Sequence, residues 1–146
     1  MKSSDTHQTV IRIARTISET LKPILFTVLN DMYLEFAYSW FCNTQYMNIH
    51  KQVLVVTTHE PSLERVTKYW PDINIVFLNN TELQGHQNYS HVGYVRIMVE
   101  RTVLFMSMIL EGFEVFLIEM DCLWLENVLN HLPKTTNIGS IFKQCI

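Results

Sequence analysis

Glycine is scarce in this chain, with four among 146 residues, at positions 85, 93, 112 and 139. That scarcity removes two phosphate-binding designs. A dinucleotide-binding turn needs G-x-G-x-x-G after the first strand, and a P-loop needs G-x-x-x-x-G-K-[ST], because glycine lets backbone N–H groups crowd a phosphate. The segment in the right place, Val28-Leu-Asn-Asp-Met32, has none. Cysteine is equally sparse: Cys42, Cys122 and Cys145 are widely spaced and form no CxxC or Cys/His cluster of the kind that holds zinc. They leave the redox compartment open. Basic charge is lacking too, since a formal net charge of −3 gives no field to hold a polyanion and so speaks against nucleic acid. Apolar runs are broken by Glu, Arg or Asp before the roughly 18–20 residues that a bilayer span requires. Neither a membrane span nor a secretory signal is expected within these residues, and any membrane anchor is expected outside them.

What the chain does have is a 48% hydrophobic content over 146 residues, enough for one core in one domain of about 100–150 residues. Residues 1–8 are polar and expected to fray. From Thr9, the spacing of Val10, Ile13, Ala14, Ile17 and Leu21 is that of one helical stripe, which Pro23 stops. Residues 1–23 therefore read as a polar segment plus an amphipathic helix at the edge of a single domain over 24–146. In that domain, apolar runs at 24–29, 52–58 and 73–78 alternate with helical patterns at 32–46 and 62–69. Strands interleaved with helices of this length predict βαβ units, an α/β fold with a mostly parallel sheet. The strands are almost continuously apolar (Ile24-Leu-Phe26, Val53-Leu-Val-Val56, Ile75-Val-Phe-Leu78), as strands covered by helices on both faces must be. A long polar loop follows at 79–90, then a helix from Gly93 or Tyr94 to about Leu110, with Gly112 as its C-cap. The acceptor sequons Asn79-Asn-Thr81 and Asn88-Tyr-Ser90 are glycosylation sites only if the chain passes through a secretory lumen. A short apolar run at 138–142 closes the pattern.

The run Gly112-Phe-Glu-Val-Phe-Leu-Ile-Glu-Met-Asp-Cys-Leu-Trp124 ends in two carboxylates two residues apart. Strand side chains alternate faces, so Glu119 and Asp121 are expected on one side with bases roughly 7 Å apart. A buried carboxylate needs a cation, a donor or water. Two readings are open: the pair caps a turn or meets a nearby Arg or Lys, or it holds a divalent cation that bridges phosphate oxygens. On the preceding helix, Arg101 lies seven residues from both Tyr94 and Met108, hence on an apolar face. It is expected to snorkel along the core edge or to meet Glu119 or Asp121. His86 and His91, in the polar loop, lack the fixed spacing a helix would give a metal pair. Leu123, Trp124 and Leu125 are expected to wedge the turn after the carboxylates into the core. Ligands of open parallel α/β sheets sit outside the carboxyl ends of the strands. Those ends are polar here, at 27–30, 57–59, 79–80 and 119–121.

Together, Gly93-Tyr-Val-Arg-Ile-Met-Val-Glu-Arg101 and Leu110-Glu-Gly-Phe-Glu-Val-Phe-Leu-Ile-Glu-Met-Asp-Cys-Leu-Trp-Leu125 resemble the nucleotide-diphospho-sugar transferase domain of GT-A type glycosyltransferases. In that family a tyrosine-and-arginine helix precedes a glycine, a strand and a D-x-D motif trailed by tryptophan. Thr27-Val-Leu-Asn30 with Tyr33 and Trp40 is similar to its first strand and helix, and Val53-Leu-Val-Val-Thr-Thr58 to its second strand. The resemblance implies a Rossmann-like sheet, the nucleotide-binding half of the GT-A fold. It implies Asp121 as the ligand of Mn²⁺ or Mg²⁺ on the donor diphosphate, with Glu119 contacting metal or donor ribose. Thr27, Val28 and Asn30 would line the nucleoside pocket, and Arg101 would stand near the diphosphate. Two departures bear on the site. Glu119 replaces an aspartate, and Mg²⁺ tolerates a displaced carboxylate less well than larger ions do. His59 stands where the family tends to have an aspartate, so the resemblance implies that it helps bind the nucleotide sugar; its other reading is a loop histidine bonded to a neighbour.

The implied activity is transfer of a sugar from a nucleotide diphosphate, a UDP-sugar being the expected donor, to a hydroxyl of a glycan, protein or small acceptor, in the Golgi lumen. The family's acceptor half lies beyond the D-x-D strand, where few residues remain, so the chain is expected to be incomplete at its C-terminus. The alternative is a truncated or degenerate domain of the same fold that binds a nucleotide or a protein partner without turnover.

Overall fold

A computed structural model describes residues 2–80 and 92–132. Helix α1 (Lys2–Ser18) leads into strand β1 (Ile24–Leu29), then α2 (Leu34–Thr44), β2 (Val53–Thr57), α3 (Pro61–Tyr69), β3 (Asn74–Phe77), α4 (Val92–Leu110) and β4 (Val115–Leu117). Short 3₁₀ turns flank α2, precede β2 and end the described chain at Val128–His131. The predicted alternation is present, with one difference at the start: the first helix begins at Lys2 rather than Thr9. Its first turns are held in place by their surroundings, since His7 Nε2 lies 3.1 Å from Glu100 Oε2 on α4 and Thr6 is buried.

The four strands are all parallel and ordered β3-β2-β1-β4. The chain walks outward from β1 to β3, then returns past β1 to lay β4 on its other side. Residues alternate between two cores as their pleat requires. Leu25, Leu29, Val53, Val55 and Phe116 face α2 and α3, while Ile24, Phe26, Val28, Leu54 and Val56 face α1 and α4. Every residue of β1 and β2 is buried, which explains their continuous apolar runs. The fold is the doubly covered, Rossmann-like α/β arrangement that the sequence pattern predicts. Helix α1 lies on the α4 side of the sheet, where Val10, Ala14 and Ile17 share a core with Ile97, Leu104 and Met108 of α4.

Gly112 ends α4 with φ +87°, the left-handed conformation that L side chains rarely adopt. The Gly112 N–H bonds to the Ile109 carbonyl at 2.9 Å and the Phe113 N–H to the Met108 carbonyl at 3.1 Å, so two carbonyls orphaned at the helix end find donors. That cap turns the chain straight into β4, whose register is set by Ile24 opposite Val115 and Phe26 opposite Leu117. No described helix is long and apolar enough to cross a membrane. His86, His91, Cys145, the sequon at Asn88, most of the 79–90 loop and the run at 138–142 lie outside the described residues.

Candidate functional site

β1 and β4 are neighbours although two strands separate them in sequence, so the winding of the chain reverses between them. In open α/β sheets that reversal splays the connections apart and leaves a crevice at the carboxyl ends. A cleft of about 230 Å³ occupies this place. Its floor is the end of β1, Thr27 to Asn30; one wall is the first half of α4, with Tyr94, Ile97 and Arg101; the other is Glu119 to Asp121. Tyr33, just after β1, adds an aromatic edge.

Each wall has a local cause. Ile97, Leu104 and Met108 fix the buried stripe of α4, and Arg101, four residues after Ile97, falls on that stripe near the top of the sheet, where the cleft spares it full burial. Its side chain is 22% exposed and its Nη1 donates to Glu119 Oε1 at 2.9 Å. Of the two carboxylates named for it, Glu119 is the one it meets. The ladder of β4 ends sooner than expected. The Ile118 N–H still bonds to the Phe26 carbonyl at 2.9 Å, but Glu119 lies past the strand and Asp121 in a turn with Met120. Strand alternation therefore accounts for Glu119, beside Val28, and the turn carries Asp121 to the same cleft. Neither carboxylate is buried, so water satisfies what Arg101 does not, and the desolvation cost anticipated for a closed pair is absent.

The turn is pinned from the other side of the sheet. Asn43 of α2 clamps the backbone of Trp124, its Oδ1 accepting from the Trp124 N–H at 2.9 Å and its Nδ2 donating to the Trp124 carbonyl at 3.0 Å. The Trp124 ring is buried and meets Trp40 edge-on at 5.2 Å between centroids. Leu123 and Leu125 are exposed, so of these three only Trp124 reaches the core, where Met120 of the turn is buried with it. Asn43 was not singled out by sequence, where its one signal is an amide inside a helix, a position Asn disfavours unless its side chain has a task.

Thr27, Val28, Asn30, Arg101, Glu119 and Asp121 thus come together around one cleft. His59 does not line it. That residue follows β2, one strand further out, in a turn fixed by Thr57: the His59 N–H donates to Thr57 Oγ1 at 3.1 Å, and the Ser62 hydroxyl donates to the His59 carbonyl at 2.6 Å. Its Nδ1 is buried with no hydrogen-bond partner among the described residues, as is Asp31 Oδ1 just beyond β1. Among the described residues, the charged groups of the cleft wall are Arg101, Glu119 and Asp121. Among the described residues no group of three or more His, Cys, Asp and Glu forms a protein-only metal cage. The set fits a different mode, common for Mg²⁺ and related ions, in which one or two carboxylates share the cation with substrate phosphates and water.

Residues 48–142 match the family model for nucleotide-diphospho-sugar transferases. Searches of curated proteins and of solved structures return no match.

Proposed function

Since the chain belongs to the nucleotide-diphospho-sugar transferase family, we propose that the cleft between β1 and β4 binds a UDP-sugar whose diphosphate shares Mn²⁺ or Mg²⁺ with Asp121. The reaction would be transfer of the sugar to a hydroxyl of a glycan, protein or small acceptor. The observation that carries this reading is the meeting of Arg101, Glu119 and Asp121 with the end of β1 at the point where strand order reverses. A bound cation would neutralise the diphosphate as negative charge develops on it in the transition state, a contribution of several kcal/mol to the barrier.

The chain's own residues have distinct parts in this proposal. Thr27, Val28 and Asn30 would form the floor for the nucleoside. Tyr33 and Tyr94 would offer it apolar faces and hydroxyls. Arg101 would meet diphosphate oxygens with a planar, fork-shaped donor, and its half-buried stem would keep that donor in place. Asp121, exposed in its turn, would hold the cation, and Glu119 would serve cation or ribose. A nucleoside extending across the end of β2 would reach His59.

Asp121→Asn should abolish the Mn²⁺-dependent binding of UDP measured by titration calorimetry; unchanged affinity would overturn the assignment. The departures at Glu119, which stands in place of an aspartate, and at His59, which is not among the cleft's described lining residues, favour a second reading, binding without turnover. Release of free sugar from a UDP-sugar with excess Mn²⁺, suppressed by EDTA, would contradict binding alone.

A further inference from the structure

Glu119 and Arg101 are bonded to each other at the cleft wall, Nη1 to Oε1 at 2.9 Å, and this bears on how the site fills. Building on the donor site described above, we propose that Arg101 keeps Glu119 away from the cation position until a diphosphate takes the guanidinium, so that divalent cation and nucleotide diphosphate are taken up as a unit.

The charges support this sequence of events. Among the described residues the cleft wall carries one positive and two negative side chains, and the ion pair cancels one of each. A cation entering alone therefore meets a single uncommitted carboxylate, Asp121, with a guanidinium nearby that repels it. One carboxylate and water hold a hydrated dication weakly, because little of its shell can be exchanged for protein oxygen. A diphosphate changes both terms. It carries several charges against the one on Glu119, and its paired oxygens match the guanidinium fork, so it can outcompete the carboxylate. Glu119 is the partner built to yield: it is 54% exposed against 22% for Arg101, and it lies beyond the last strand pairing of β4 whereas Arg101 is fixed on a packed helix. Once released, Glu119 adds a second carboxylate where phosphate oxygens also gather. Each ligand then strengthens the other by the same factor.

The test uses the full chain and Mn²⁺, with free ion followed by its electron paramagnetic resonance signal. Without nucleotide, Arg101→Gln should bind Mn²⁺ about tenfold or more tightly than the unaltered protein, within the usual range of site coupling, and Arg101→Gln/Glu119→Gln should lose that gain. Arg101→Met, which keeps an apolar stem on the helix stripe, repeats the measurement if the glutamine variant does not fold. No gain in either variant, or a gain that survives loss of the Glu119 charge, would overturn the masking role. In the unaltered protein UDP should raise Mn²⁺ affinity by a similar factor; UDP that binds while leaving Mn²⁺ affinity unchanged refutes joint uptake. Absence of UDP binding at any Mn²⁺ concentration would instead sink the donor-site reading itself, and the nucleotide-free comparison of variants would still decide whether Arg101 masks Glu119.

Discussion

At the amino end of the sheet, buried polar side chains are bonded to one another and to the backbone. His50 Nε2 lies 3.0 Å from Thr44 Oγ1, Thr44 donates to the Trp40 carbonyl at 2.8 Å, and Gln52 Nε2 donates to the Pro23 carbonyl at 2.7 Å. Trp40 Nε1 is the exception, buried without a partner among the described residues. At the carboxyl end Thr57 and Ser62 are bonded in the turn after β2, but Glu119 and Asp121 face solvent and Asp31 Oδ1 and His59 Nδ1 are buried without partners among the described residues. Both ends are reached by the same four strands. A buried polar atom that lacks a partner costs stability, so bonded groups locate where this fold is fastened, and unspent bonding capacity locates where it can accept a ligand.

If that contrast holds, substitutions at the amino end should lower stability and leave cleft chemistry intact, and substitutions at the carboxyl end should do the reverse. Trp40→Ala is the severest case for stability, and because Trp40 meets Trp124 beside the Asp121 turn, the separation from cleft chemistry is read at Thr44 and Gly112. The ring is fully buried among Phe41, His50 and Trp124, and its loss should cost about 3–5 kcal/mol in urea unfolding. Thr44→Val keeps shape but strips His50 of its bond, with an expected loss of about 1–3 kcal/mol. Gly112→Ala tests the helix cap: no neighbour lies within 4 Å of an added Cβ, so the expected loss of about 1–2 kcal/mol comes from backbone conformation alone.

Acid should probe the same end. Burial is the largest influence on His50 and holds its pKa below the ordinary value of 6.5, against the opposing pull of Asp72 and of the bond that its ring donates to the Phe41 backbone. The unfolded chain then takes up a proton at higher pH than the folded one. Stability is full above about pH 6.5 and declines as pH falls, until the folded-state pKa is passed. His50→Gln should flatten that decline in unfolding curves recorded from neutral to acidic pH; an unchanged decline would place its origin elsewhere. The smallest stability change is expected at the cleft. Arg101→Gln removes a solvent-accessible ion pair and should cost less than about 1 kcal/mol, in contrast to the large effect expected on Mn²⁺ binding. A greater loss would make the pair structural and blur the contrast.

Much of this was legible in the residues. Continuous apolar runs announced strands buried on both faces, and Gly112 announced the end of α4. The carboxylates were placed on one side by strand alternation, which held for Glu119; a turn did the rest for Asp121. Arg101 was harder to read, because α4 is apolar nearly all round: Val95, Val99 and Val103 are exposed while Ile97, Leu104 and Met108 are buried. Seven-residue spacing put Arg101 on a face, but which face met the sheet required packing. The Asn43 clamp on Trp124 spans 81 residues and leaves almost no local trace.

By itself the sequence determined the kind and order of the elements, their burial, and the polar character of the strand ends, because hydrophobic periodicity records how many sides of an element meet other protein. Only the tertiary structure decided that β4 lies beside β1, that the cleft opens between them, and that Glu119 rather than Asp121 answers Arg101. Backbone ladders join any two strands with the same bonds, so neighbours are chosen by packing across the whole sheet. Partner choice in the cleft follows from where β4 stops pairing and the turn begins.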